Sequence, residues 1–260
     1  MFLDRLSPSK VKVYDDCKAK YKFRYIDRLP EEFNKVKNTD ALQFGTFIHK
    51  VFEDGYKLET YEELNELAKS LRPQYTFDKA RERKIEACLR NFVKFNNQLT
   101  ETVSTEMLFS VEMLGDVKLN GIIDRVVKGE TGKYLVIDYK TSRRAISRRE
   151  LYTDTQMMMY VAAVHTMYSV PVESITAAHY YPHLDELVTI KYNKSQINIF
   201  LQKIKDKVWE IRKKKATDFP AQRNQFCNWC GFKDLCPLHG GTPEMLAEAK
   251  KKYSKKKKKS

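Results

Sequence analysis

Two short stretches of this 260-residue chain carry residue types that can do chemistry together: Gly121-Ile122-Ile123-Asp124-Arg125 and Leu135-Val136-Ile137-Asp138-Tyr139-Lys140-Thr141. Each is an apolar, strand-like run ending in an acid, and the second ends in acid-x-Lys. An acid beside a buried strand is unfavourable unless something positive compensates it. Asp124, Asp138 and Lys140 at neighbouring strand ends suit a divalent cation held by oxygen ligands, with the lysine beside a water or a phosphate. That is the chemistry of phosphodiester hydrolysis. Two strands that simply end in polar caps would show the same residues, and acid-x-Lys alone favours that plainer reading, so the surroundings decide.

Elements that could position these residues are legible from periodicity and turn residues. Ser7-Pro8-Ser9 reads as a helix start, with the helix running to about Ile26 and Val13, Cys17, Tyr21 and Phe23 near one side. Pro30 ends it, and a polar stretch to about Asp40 reads as a loop. Helical patterns follow at Leu42–Leu58, Tyr61–Leu71 and Lys79–Phe95. Glu106–Leu114 and Val117–Ile123 flank Gly115-Asp116 as a hairpin, and Lys133–Tyr139 is a third strand. Thr153–Tyr168 is a helix apolar nearly all round, hence buried. Ser174–Tyr181 and Glu186–Tyr192 are further strands, and Asn193 to about Lys214 is an amphipathic helix. The order gives an α/β or α+β domain with a mixed sheet and helices packed on it.

Two more segments place polar groups on helices. Gln43-Phe44-Gly45-Thr46-Phe47-Ile48-His49 carries a histidine, a residue type more often satisfied within a core than bound to metal. Gln156 and Tyr160, at i and i+4, face the same way. Taken singly, each is weak. As an ordered set, Gly45–His49, Gly121–Asp124, Asp138–Lys140 and Gln156–Tyr160 resemble the G-T-x-x-H, G-x-x-D, D-x-K and Q-x-x-x-Y motifs of the RecB-like branch of the PD-(D/E)XK nuclease superfamily. The opening Leu6-Ser7-Pro8-Ser9-Lys10 followed by Cys17 and Tyr21 is similar to that branch too, and the resemblance spans roughly residues 6 to 240.

The resemblance implies an αβββαβ core in which Asp124, Asp138, His49 and the carbonyl of Tyr139 bind Mg²⁺ or Mn²⁺. An imidazole among carboxylates suits Mn²⁺ better. Lys140 would orient or deprotonate the attacking water and stabilise developing charge. Gln156 and Tyr160 would bind DNA or hold the lysine. Glu112, one strand earlier, reads as a hairpin surface residue rather than a ligand. Arg143, Arg144, Arg148 and Arg149 follow the D-x-K strand. Lys18, Lys20, Lys22 and Arg24 alternate with Tyr21, Phe23 and Tyr25, a pattern suited to single-stranded DNA.

The cysteines form a second constellation. Cys227-x-x-Cys230-x5-Cys236 lies in a loop-rich segment and Cys17 some 210 residues earlier, while Cys88 sits in a helical stretch as a core residue. Three clustered thiols need a fourth ligand. From the residues alone the site is zinc, with His239 as fourth ligand, or an iron–sulfur cluster. The resemblance to AddB-type and CRISPR-associated exonucleases implies a [4Fe–4S] cluster on Cys17, Cys227, Cys230 and Cys236, stapling the two ends of the chain.

Composition bounds the rest. Hydrophobic residues make up 42% of the chain, enough for a globular core, and the net charge is +14. Without the eight lysines from Lys250 onward it is still +6, so the body itself favours a polyanion such as nucleic acid. Residues 241–260 read as a basic, disordered tail. No segment resembles a membrane span or a secretory leader, which implies a cytoplasmic protein whose cysteines are not disulfides. The expected layout is a nuclease domain over 1–240: a helical part over about 6–100, a core over about 104–215 and a cluster-ligand segment over 217–240. The expected function is a metal-dependent DNA exonuclease favouring single-stranded ends, 5′→3′ by analogy. Its rivals are an endonuclease on the same fold and a non-catalytic DNA-binding adaptor. Partner proteins in recombination, repair or CRISPR-type processes stay open.

Overall fold

The computed structural model describes residues 3–31, 40–112 and 115–256. The chain divides into two compact units, residues 39–205 and residues 1–38 together with 206–260. The helical part expected over 6–100 is therefore shared between the two. The N-terminal segment holds a two-residue strand β1 (Arg5–Leu6) and a helix α1 (Pro8–Asp16). Ser7 caps α1 by accepting the N–H of Lys10, and Pro8, which lacks an N–H, sits where none is needed. The single helix expected to reach Ile26 is broken at Cys17. Its extended backbone (φ −165°, ψ 113°) ends α1 and opens α2 (Lys18–Tyr21), which continues as a π-helical turn over Lys22–Ile26. Most of the loop expected before Asp40 lies outside the described residues.

The unit of residues 39–205 begins with α3 (Asp40–Gly55), α4 (Tyr61–Leu71) and α5 (Lys79–Asn96). Five strands follow: β2 (Glu101–Glu112), β3 (Lys118–Lys128), β4 (Tyr134–Tyr139), β5 (Ile175–Tyr181) and β6 (Glu186–Lys191). They pair in the order β2-β3-β4-β5-β6, antiparallel except for the parallel pair β4/β5. Between β4 and β5 run the short α6 (Arg148–Tyr152) and α7 (Thr155–Tyr168). The sheet is mixed and helix-covered, as expected. β2 and β3 are longer than the hydrophobic pattern suggested, because the hairpin ladder continues from Glu112↔Lys118 back to Glu101↔Lys128. The two residues before Gly115 lie outside the described ones.

Burial explains these elements. Phe44, Phe47, Ile48, Val51 and Phe52 put the apolar face of α3 against Leu89 and Phe92 of α5 and against Ile137 and Tyr139 of β4. Phe52 and Phe92 stack at 3.9 Å between ring centroids. Each such side chain contributes about 1.5–3 kcal/mol on burial. Asp154 caps α7 by accepting the N–H of Met157, and Met157, Met159 and the run Tyr160–Val164 are buried. That is the all-round apolar helix anticipated from its composition.

The chain leaves this unit along α8 (Lys194–Lys213), and one-turn 3₁₀ segments at Cys227–Trp229, Lys233–Leu235 and Pro237–His239 follow. The tail expected to be disordered from 241 is instead helical as α9 (Pro243–Lys256). Its Leu246, Ala249 and Tyr253 share a face and pack on a cluster of Ala19, Phe23, Leu29 and Phe232. Lys250 Nζ lies 2.7 Å from Asp27. Apolar spacing inside a lysine-rich stretch thus outweighs its like charges. Residues 257–260 of that tail lie outside the described residues.

Candidate active site and cysteine cavity

Asp138 and Lys140 sit at the C-terminal end of β4, and Asp124 lies on the neighbouring β3. The backbone N–H of Tyr139 donates to Asp124 Oδ2 at 2.7 Å, which ties the end of β4 to the middle of β3. Asp138 is only 2% exposed. Its Oδ1 accepts Gln156 Nε2 at 2.8 Å, and Lys140 Nζ stands 2.5 Å from its Oδ2. Gln156 also accepts Lys140 Nζ at 3.1 Å and donates to the Tyr160 hydroxyl at 2.7 Å. Gln156 therefore grips the acid and the lysine of the strand end at once, and Tyr160, one turn on along α7, holds the Gln156 amide.

His49 arrives on α3 from the other side. Its Nε2 is 2.8 Å from the Tyr139 carbonyl, to which it can only donate, so Nδ1 keeps its lone pair, 3.5 Å from Asp124 Oδ2. Gly45, one turn earlier on α3, passes close to the strand end: a Cβ there would lie 3.2 Å from Thr141 Oγ1. Beside this contact an open groove of about 500 Å³ runs past Thr46, His49, Glu106 and Thr141.

Glu106 completes the centre and was not among the expected site residues. Among the described residues, His49, Glu106 and Asp124 form a group whose potential ligand atoms all lie within 4.8 Å of one another. An ion with bonds of about 2.1 Å needs ligand atoms about 3–4.2 Å apart, and His49 Nδ1 and Asp124 Oδ2 meet that spacing at 3.5 Å. Two carboxylates and an imidazole suit Mg²⁺ and, better, Mn²⁺. The pairs Thr105↔Arg125 and Met107↔Ile123 put it opposite Asp124, one residue away from the register that a two-residue Gly115-Asp116 turn would set, so no usable signal for it lay in the sequence. Glu112, the acid weighed as an alternative, is exposed and 2.9 Å from Lys118.

Electrostatics match a site waiting for positive charge. Burial first, then Asp138, pushes the Asp124 carboxyl well above the ordinary range. Burial, then Glu53 and Asp138, raise Glu106. Burial also holds His49 below the usual imidazole range, against the pull of Asp138. For Lys140 burial works against the charge, yet Asp138 and Asp124 keep its pKa raised. A cation among these groups would relieve the carboxylates.

The expected basic residues separate into two sets. Arg143 and Arg144 are exposed in the loop after Lys140, with Arg144 bonded to the Ala145 carbonyl and to Glu150. The lysines of the N-terminal helix are instead paired inside their own unit, which corrects their reading as a DNA-facing row. Lys20 and Arg24 meet the buried Glu31 at 2.8 and 3.3 Å, buried Lys22 meets Asp27 at 2.6 Å, and Lys18 meets Glu210 at 3.5 Å. Tyr21 and Phe23 are core residues there, not stacking platforms.

In that same unit Cys17, Cys227, Cys230 and Cys236 line a single cavity of about 330 Å³, together with His239 and Trp229. Burial raises the thiols of Cys230 and Cys236, with Cys17 acting on both. Cys88 lies apart, fully buried in the other unit, its thiol pushed up to about 12 by burial. Among the described residues no three of the cavity's ligand atoms lie within 4.8 Å of one another. Tetrahedral zinc, with Zn–S of about 2.3 Å, would set sulfurs about 3.8 Å apart.

A model of the PD-(D/E)XK nuclease superfamily matches residues 5–237. The chain belongs to that superfamily. This nuclease is 27% identical over 177 residues to an ATP-dependent helicase/deoxyribonuclease subunit of Streptococcus uberis, a match that covers 62% of the chain and 16% of the relative. It is 26% identical over 210 residues to the protein of the same name from Streptococcus pyogenes serotype M1, covering 72% and 19%. The chain thus spans under a fifth of these curated relatives. A crystal structure from Eubacterium rectale, described as that of a candidate exonuclease, shares the fold with a TM-score of 0.57 at 14% identity, covering 87% of each chain. Among the described residues, no helix of this nuclease is long and apolar enough to cross a membrane.

Proposed function

We propose that the chain is a metal-dependent deoxyribonuclease, an exonuclease that hydrolyses DNA from single-stranded ends, with 5′→3′ polarity taken from analogy alone. The observation that supports it best is the gathering of His49, Glu106, Asp124, Asp138 and Lys140 at one end of the sheet. His49, Glu106, Asp124, Asp138 and the Tyr139 carbonyl would hold Mg²⁺ or Mn²⁺. When bound, the ion supplies a water of lowered pKa and Lewis acidity toward the phosphoryl oxygen. Lys140 orients the nucleophile and balances charge on the phosphate, and Gln156 fixes its Nζ. Arg143 and Arg144, exposed just beyond, offer positive charge to flanking phosphates. The open groove of about 500 Å³ is in the range of small-ligand pockets (about 300–1,000 Å³), room for a nucleotide or two beside the centre.

In this reading residues 1–240 form the nuclease domain. The cysteine segment 217–240 closes with Cys17 on a [4Fe–4S] cluster, for which the shared cavity speaks. Its role is structural, the long-range cross-link of a chain whose ligands lie 210 residues apart. A thiol cluster of this kind suits a reducing compartment, so we infer a cytoplasmic protein. The names of the streptococcal relatives, subunits of a helicase/deoxyribonuclease, suggest action on DNA beside partner subunits. Digestion of linear against circular single-stranded DNA tests the proposal. With Mg²⁺ or Mn²⁺ the linear form should be degraded to short products and the circle spared, and EDTA should stop the degradation. Equal cutting of the circle would make the enzyme an endonuclease, and no metal-dependent cutting of either would make it an adaptor.

A further inference from the structure

His179, on β5, stands directly beside Asp138 of β4 in the parallel register. It is 2% exposed, and its Nε2 has no hydrogen-bond partner. That nitrogen lies 3.9 Å from Asp138 Oδ2, just outside hydrogen-bond reach. On the other side of the ring, Nδ1 is 3.4 Å from the Tyr181 hydroxyl. The same hydroxyl oxygen accepts the backbone N–H of Ile146 at 3.2 Å. A hydroxyl has a single proton, and here Nδ1 is the acceptor within its reach. The neutral ring then carries its own proton on Nε2, toward the acid. Donors then run in one direction, from the Ile146 amide through Tyr181 to His179, whose Nε2–H is turned toward Asp138 without bonding it.

A buried N–H with no acceptor is unfavourable, and an acceptor waits 3.9 Å away, held for now by Lys140 at 2.5 Å. Lys140 commits two of its three N–H donors, to Asp138 Oδ2 and to Gln156 Oε1, which leaves one for an attacking water and none for a phosphate. We propose that His179 is a positioning residue for Asp138: its Nε2–H takes over Oδ2 when the carboxylate engages the divalent ion, and so frees Lys140 for the phosphate. Ligating carboxylates are commonly held by such outer hydrogen bonds. The inference rests on reading this centre as a metal-dependent nuclease. It adds a residue that none of the four sequence motifs contains. Tyr181 gains a role as well, because its hydroxyl sets which ring nitrogen carries the proton.

The test is Mn²⁺ affinity, measured by calorimetry on the full chain without DNA. His179→Leu should weaken binding about 10–100-fold, the usual effect of losing an outer partner. His179→Gln, whose amide nitrogen can occupy the Nε2 position, should restore affinity close to wild type. Tyr181→Phe, which keeps the packing and removes the tautomer-setting hydroxyl, should weaken binding in the same direction and serves if the leucine variant does not fold. In DNA cleavage at saturating metal, His179→Leu should lower kcat with KM little changed. If His179→Leu or Tyr181→Phe melts earlier but binds Mn²⁺ like wild type, the histidine is only a core residue and the inference falls alone. If wild type binds no Mn²⁺ that Asp124→Asn abolishes, the nuclease reading itself falls and takes the inference with it.

Discussion

Across the β2–β3 ladder Glu106 faces Asp124, a placement at which like charges repel. Its backbone is left-handed (φ 45°), a conformation that costs a non-glycine residue of order 1–3 kcal/mol. Both features make sense if a bound cation offsets them. Glu106→Gln should therefore raise the Mn²⁺ concentration for half-maximal cleavage by about tenfold or more, since even outer partners of a metal ligand are worth about that. Glu112→Gln, on the exposed, Lys118-paired end of the same strand, should leave the titration unchanged. An unshifted Glu106 titration would remove it from the centre. Asp124, Asp138, Lys140 and His49 were legible because their spacing matches ordered motifs. Glu106 belongs to no motif, and a register count from the Gly115-Asp116 turn would set it opposite Arg125 instead of Asp124. His179 left no mark at all, since a histidine in an apolar strand shows its neighbour only once β4 and β5 pair.

At the scale of elements, strands and buried helices followed their apolar periods closely, because burial fixes them. Three features escaped. The helix break at Cys17 is invisible in a run with good helical residues on both sides. The pairing of Lys20 and Arg24 with Glu31, and of Lys22 with Asp27, turned an apparent DNA-facing row into an internally neutralised one. A one-dimensional charge pattern does not reveal which acid folds back onto it. The same holds for α9, where three apolar residues among lysines anchor a helix to Phe232 and its neighbours. Deleting 243–260 should lower the melting temperature by several degrees, because it uncovers that cluster, whereas deleting 257–260 should leave melting unchanged. Equal melting of both truncations and the full chain would mean α9 contributes nothing to the fold.

For the whole molecule, two chemistries are kept in separate compact units: carboxylates, histidine and lysine in residues 39–205, and four thiols in the unit built from both ends of the chain. Purified protein should be brown, with iron and acid-labile sulfide near four each per chain. Ser in place of Cys17, Cys227, Cys230 or Cys236 should bleach it, and Cys88→Ser should not. Colourless protein with one zinc, dependent on His239 and not on Cys17, would replace the cluster while leaving the nuclease centre untouched.

The most direct measurement of the central claim is degradation of end-labelled linear single-stranded DNA by wild type and by Asp124→Ala, Asp138→Ala and Lys140→Ala. Each reaction is run at saturating Mn²⁺, with DNA binding and folding measured in parallel. Wild type should degrade the strand, and each variant should lose cleavage by at least about a hundredfold, the scale of a lost transition-state contact, while still folding and binding DNA. Cleavage at the wild-type rate by a folded Asp124→Ala or Asp138→Ala protein would contradict the account and place the chemistry elsewhere.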